Sequence, residues 1–409
     1  MITNAQNTKR IKEKHQGIAT ILALALIPLS GFAIDIYLPS LPTMGTALHV
    51  SSIQVQLTIS IFLISYGVGQ LFIGSVLDSF GRYKISLVSL LIFAAASIVI
   101  AETHNIYLIY LMRGIHGLTV AAIIVAKRAY FVDVFTGDKL KSYLSIFTII
   151  WSTGPIVAPF VGGYLQTIFG WESNFYFLAA FALIIAILEF IYSGETLKQP
   201  SAFHLSKITN IYVQMIKTTS FTLGIIMLGL AYSMVMVYNM TGPYIIEHQM
   251  HLTPIVAGYC SLILGFAWMV GGFIGKATIN RPFYNKLAIN LGLQLLFVFI
   301  MIASLNIKVN LYTLIFFAFI IHASAGFTFN NYFTYSMSKF PNNAGIAGGL
   351  MGGVNYIVVS FLSYVIIAFI PAKDEHNLSY SYLILILLSG LIMLAVFRLR
   401  KRKTSISLA

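Results

Sequence analysis

Two charged residues stand where the surrounding sequence offers them no water. Asp35 lies in LALALIPLSGFAIDIYLPSLP (22–42), an apolar run that ends with Pro39 and Pro42. Arg113 lies in LMRGIHGLTVAA (111–122), about eight residues from the outer end of its run, roughly 12 Å deep at about 1.5 Å per residue. A charge in such a run is costly and normally faces a cavity or a partner. Burial disfavours the ionised form of a carboxylate, and a nearby cation favours it. A carboxylate balanced between the two can take a proton from one side and release it to the other. Asp35 is the only acid well inside a predicted span, so coupling of Asp35 to Arg113 is the economical reading. The alternatives are a helix-packing acid near the outer interface and a structural arginine bonded to backbone carbonyls.

The elements that must position these residues follow from composition. Of 409 residues, 58% are hydrophobic and 9% charged, against about 25% charged in a soluble domain. Apolar runs near the length needed to cross a bilayer lie at 18–40, 54–76, 84–101, 105–128, 141–166, 174–192, 219–241, 254–275, 285–304, 311–332, 345–369 and 379–397. The fold class is therefore all-α, a polytopic membrane protein with twelve transmembrane helices. The polar stretch at about 193–218 splits them six and six. The expected units are an N-terminal six-helix bundle, 1–200 with part of the central cytoplasmic loop, and a C-terminal six-helix bundle, 201–409. A substrate site is expected near the midplane of such paired bundles.

A net charge of +13 would point to nucleic acid in a soluble protein. Here it follows the positive-inside bias. With both termini cytoplasmic, all of the 25 basic residues except Arg113, Lys308 and Lys373 fall on the cytoplasmic side. Cys260 is the only cysteine, which excludes a disulfide framework. The first apolar run lacks an A-x-A-like site and leads into a second span, so no cleavable signal peptide is expected. There is no G-x-x-x-x-G-K-[ST] and no H-E-x-x-H, and His248 and His251 have no Cys or acid cluster beside them. Nucleotide-driven transport, enzymatic chemistry, a metal site and a cofactor are not expected.

In GSVLDSFGRYK (74–84), Gly74 would permit close helix approach, Gly81 a sharp turn, and Asp78 at a helix C-terminus needs a basic partner or a helix to cap. This G-x-x-x-D-x-x-G-R pattern resembles the signature of the loop between spans two and three in the major facilitator superfamily. LMRGIHGLTVAA is similar to that superfamily's fourth-span motif. GPIVAPFVGGYL (154–165), with Gly154, Pro155, Pro159, Gly162 and Gly163, is similar to its fifth-span antiporter motif. SGFAIDIYLPSLP, GETL (194–197), TGPYIIEHQMHLTPIVAGY (241–259) and FPNNAGIAGGLMGG (340–353) narrow the resemblance to the Bcr/CflA subfamily of drug:proton antiporters. Three positions depart from it: Gly194 stands where proline is usual, Lys127 where a small residue is usual, and the second-half loop motif lacks its acid.

The fifth-span glycines allow tight packing and its prolines bend the helix; the resemblance implies a barrier to leak. At roughly 100° per residue, Arg113, His116 and Lys127 share one face of the fourth span, a basic lane that would attract an anionic substrate. The alternatives are a snorkelling Lys127 and a packing His116. Further cavity candidates are Tyr37, Gln56, Ser60 and Tyr66 in the first half, and Tyr238, Asn239, Asn330 and Asn355 in the second.

The resemblance implies a monomeric secondary transporter of the bacterial inner membrane, a proton-coupled antiporter that exports small organic compounds such as drugs. Export or uptake of an endogenous, anionic metabolite such as a siderophore or peptide is the alternative, and a membrane receptor that has lost transport is a more remote one.

Overall fold

The computed structural model describes residues 9–197, 199, 205–305, 310–340 and 344–407. The expected boundary at 200/201, Lys198, Lys308 and residues 341–343 of the FPNNAGIAGGLMGG segment lie outside them. Among the described residues, twelve helices are long and apolar enough to cross a bilayer. They are Glu13–Ala47, Ser52–Phe80, Arg82–Glu102, Ile106–Val134, Gly137–Phe169, Glu172–Tyr192, Thr219–Gln249, Pro254–Ala277, Phe283–Leu305, Leu311–Met337, Ile346–Phe369 and Glu375–Arg398, numbered below as the first to twelfth spans. An additional short helix, Leu205–Lys217, precedes the seventh. Several helices outrun the apolar runs expected of them, the second ending at Phe80 rather than 76. An apolar-length criterion stops where polar residues begin, whereas helical hydrogen bonding continues into the interface.

Local chemistry sets the ends. Ser51 and Gln54 form a capping box at the second span, and Asn310 and Thr313 form one at the tenth. The Asn105 side chain accepts from the Tyr107 and Leu108 amides to start the fourth. The first span is segmented into Gln16–Leu26, Leu29–Asp35, a tight turn at Leu38–Ser40 and Leu41–Ala47. Pro39 and Pro42 sit in the first turn of the last two pieces, where a missing amide proton costs no intrahelical bond. They carry the helix beyond its expected end at 40.

The chain divides into two compact units, Met1–Lys207 and Ile208–Ala409. Within the first, the second span packs on the fourth, the third on the fourth and sixth, and Leu29–Asp35 on the fifth. Within the second, the eighth packs on the tenth, the ninth on the tenth and twelfth, and the seventh on the eleventh. The pairing repeats with an offset of six spans. Small residues make the central crossing in each unit. A Cβ at Gly69 would strike Ala121, and one at Gly326 would strike the Trp268 backbone.

Burial is inverted relative to a soluble protein. Ile21, Tyr107 and Ile184 are exposed, while Asp35, Arg113, His116 and Gln56 are wholly buried. Bilayer-facing positions are apolar because lipid cannot hydrogen-bond, so polar groups turn inward.

Candidate functional site

Arg113 is held from four sides. Its Nη1 donates to the Ala33 carbonyl at 2.9 Å and its Nε to the Thr58 carbonyl at 3.4 Å. The guanidinium lies 4.7 Å from the Tyr37 ring centroid and 4.5 Å from that of Phe62, a double cation–π arrangement in a dry setting. Tyr37 is fixed in turn by a 2.9 Å hydrogen bond between its hydroxyl and Thr58 Oγ1. The fourth span thus carries a permanent cation that ties it to the first and second spans.

Asp35 is the last residue of Leu29–Asp35, two residues beyond the carbonyl that Arg113 holds. It lies two residues before Tyr37, whose ring Arg113 meets, and all three side chains are wholly buried. Acid, guanidinium and phenol therefore form one buried group within the first unit.

His116 joins this group as a neutral ring. Arg113 Nη1 can only donate, so His116 Nδ1, 3.3 Å away, is the acceptor. Its Nε2 then carries the proton and donates to Ser97 Oγ at 3.0 Å, which donates to the Phe93 carbonyl at 2.8 Å. The chain of bonds leaves His116 no site for a second proton.

The fifth-span motif seats the Asp35 segment. A Cβ at Gly154 would lie 2.8 Å from the Pro28 carbonyl oxygen, one at Gly162 would overlap the Ile36 carbonyl, and one at Gly31 would strike Pro155. Gly163 and Pro159 are buried beside them, and Thr167 Oγ1 donates to the Gly163 carbonyl. Pro155 and Pro159 lie inside the continuous helix Gly137–Phe169.

The loop signature closes a charge network. Asp78 pairs with Arg82 at 2.9 Å, Arg82 also pairs with Asp133, and Thr196 Oγ1 donates to Asp133 at 2.8 Å. Glu195 Oε1 accepts from the Arg82 amide and Oε2 from the Tyr83 amide, each at 3.1 Å, capping the third span. Gly81, with φ +94°, brings the backbone so close that a Cβ would lie 2.5 Å from Glu195 Oε2. Gly194 accommodates residues 9–11, since a Cβ there would meet the Arg10 carbonyl carbon at 2.5 Å.

Two expectations are corrected. Gly74 makes no close helix approach within the first unit: among the described residues, nothing lies within 4 Å of where a Cβ would stand. The basic lane along the fourth span does not form as a row of available cations. Lys127 Nζ lies 2.7 Å from Glu189 Oε2, both side chains buried, so its charge is neutralised by an acid of the sixth span. A buried ammonium needs a counter-ion, and the sixth span supplies it.

The remaining candidates separate. Gln56, Ser60 and Tyr66 are buried on the second span. In the second unit Tyr238 packs edge-on against His322, 5.5 Å between ring centroids, and His322 Nε2 is 3.2 Å from the Tyr382 hydroxyl. Asn330 and Asn331 instead face Gly275, while Asn355 is buried and Asn239 half-buried. Glu189, Asp133 and Glu195 were not singled out by the sequence as site residues. The one available signal was Lys127 itself, a cation at a position expected to be small.

A family profile described as Major Facilitator Superfamily matches residues 23–363. The chain is 28% identical over 354 residues to the "Uncharacterized MFS-type transporter YdgK" of Bacillus subtilis (strain 168), covering 85% of this chain and 88% of the relative. It is 34% identical over 188 residues to the bicyclomycin resistance protein homolog of Haemophilus influenzae, covering 46% of this chain and 47% of the relative. The crystal structure of the nucleoside transporter NupG matches with a TM-score of 0.68 at 14% identity, over 93% of this chain and 98% of that one. That likeness is one of fold.

Proposed function

The chain belongs to the major facilitator superfamily, and on that premise we propose that this multi-pass membrane transporter exports small organic compounds in exchange for protons. The observation that carries the coupling is the wholly buried Asp35, two residues beyond the carbonyl to which the wholly buried Arg113 donates. Arg113 favours the ionised acid and burial the neutral one. Asp35 is the proton carrier in this reading, and Arg113 sets how readily it lets go. Protonation removes the negative charge that Arg113 or a cargo would otherwise meet, so proton and cargo exclude one another and exchange results.

Drug-like cargo is supported by the name of the Haemophilus influenzae relative, a bicyclomycin resistance protein homolog. The positive-inside bias supports both termini in the cytoplasm of an inner-membrane protein. The network of Asp78, Arg82, Asp133 and Glu195 would fasten that side, and the contact of Gly154, Pro155 and Gly162 with the first span would resist leak. An anionic endogenous cargo loses its main support, because Lys127 is already neutralised by Glu189.

The test is purified protein in proteoliposomes with an imposed pH gradient, a lumenal pH dye and a broad panel of drugs and metabolites. Cargo-dependent proton flux is expected in the native protein and none in Asp35→Asn. Intact proton-driven transport by Asp35→Asn would show the assignment to be wrong.

A further inference from the structure

A second polar site lies in the first unit, at the end carrying the Arg82 turn. A cavity with about 20 Å³ of room for the centre of a water molecule is lined by Arg82, Tyr83, Lys127, Tyr130, Glu189 and Thr196. Roughly 10–15 Å³ of such room holds one water. Three polar atoms of its lining residues have no hydrogen-bond partner among the described residues: Glu189 Oε1, Tyr83 Oη and Arg82 Nε. One water can accept from Arg82, exchange a bond with Tyr83 and donate to Glu189.

A buried ion pair held for structure alone needs its remaining lone pairs satisfied by fixed donors. The Lys127–Glu189 pair is not built that way. One carboxylate oxygen takes the ammonium at 2.7 Å, and the other is left to the cavity. Charged and titratable groups line the cavity with Glu189, and the Glu195 carboxylate accepts from the Arg82 and Tyr83 amides beside it. Lys127 and Tyr130 come from the fourth span, and Arg82 and Tyr83 from the third. The Lys9 ammonium of the N-terminal segment stands 6.0 Å from the Tyr83 ring centroid. The first span contributes Ala19 to the wall and the Thr20 hydroxyl to Tyr130 at 2.9 Å. Arg82 also binds Asp78 and Asp133, so the cavity abuts the charge network.

We propose that this cavity is a second proton-exchange site, in which a hydronium in the cavity transfers its proton to Glu189 Oε1 and leaves as water, with Lys127 as the resident counter-ion. The carboxylate becomes a neutral acid, the Lys127 charge is unchanged, and the site gains one positive charge. The role this gives Glu189 in transport rests on the proton-coupled reading above, but the site itself does not.

The experiment is an infrared pH titration of the purified protein in nanodiscs, following the C=O stretch of protonated carboxyl groups and its shift in heavy water. The native protein is expected to show a titrating band that is absent in Glu189→Gln and retained in Asp35→Asn. In Lys127→Met the band should remain but at a shifted C=O frequency, because the ammonium held at Glu189 Oε2 is gone. Should Glu189→Gln fold poorly with Lys127 left alone, the double variant Lys127→Met/Glu189→Gln serves instead, and it too should lack the band. The same titration in the native protein and the double variant would overturn the proposal. That result would leave the Asp35 assignment standing, since Asp35→Asn is judged by proton flux.

Discussion

Arg113 Nη1 donates to the carbonyl of Ala33 at 2.9 Å, so the fourth span's cation grips the backbone two residues before Asp35. Acid and cation are thereby held in register by a main-chain bond as well as by charge. A shift of the first span that moves Asp35 must also break or carry the Arg113 contact.

Lysine should not replace Arg113. A lysine keeps the charge but cannot reproduce the Nη1 and Nε bonds to the Ala33 and Thr58 carbonyls together with the guanidinium's contacts to the Tyr37 and Phe62 rings. Loss of one hydrogen bond from a charged donor costs about 1.5–3 kcal/mol. Arg113→Lys should lower proton-driven transport by about tenfold or more at equal expression, measured as initial flux in proteoliposomes. Flux equal to native would show that charge alone suffices.

Glycine substitutions should divide by position. Gly162→Ala would drive a methyl group into the Ile36 carbonyl, and Gly74→Ala would add one where no described residue stands within 4 Å. Overpacking costs about 1–3 kcal/mol. In detergent, Gly162→Ala should lower the melting temperature and Gly74→Ala should leave it unchanged. Equal melting temperatures would argue against the tight contact between the first and fifth spans.

Glu195 should matter to the third span. Its carboxylate accepts the Arg82 and Tyr83 amides as well as those of Thr196 and Leu197. Losing a cap costs about 0.5–2 kcal/mol. Glu195→Ala should speed amide exchange at residues 82–84, read by hydrogen–deuterium exchange with mass spectrometry. Unchanged protection there would remove Glu195 from the network.

Breaking the Lys127–Glu189 pair should be worse than removing it. Lys127→Ala leaves a buried carboxylate without its cation, a loss of about 3–5 kcal/mol, whereas a neutral double replacement of similar volume can be near neutral. Thermal unfolding of Lys127→Ala and of Lys127→Met/Glu189→Gln should therefore differ clearly, with the double variant nearer the native protein. The same variants bear on cargo, since Lys127 is not available as an anion receptor while Glu189 holds it.

The sequence by itself determined the twelve spans and the two charges buried together in the first unit. Bilayer thickness sets how long an apolar run must be, and an unsatisfied backbone cannot cross it, so helices follow from run length. A charge inside such a run is conspicuous for the same reason, which is how Asp35 and Arg113 stood out. Gly81 was legible as well, because a turn between two antiparallel helices calls for its positive φ. Partnership was decided only by the tertiary structure. Glu189 reads along the chain as an acid near a span's end, and Lys127 as a cation near another; only the packing of helices places them 2.7 Å apart. Asp133 and Glu195 meet Arg82 across 51 and 113 residues in the same way. A helix fixes neighbours three and four residues away, and the low-dielectric interior then makes each distant charge depend on whichever counter-charge the packing brings beside it.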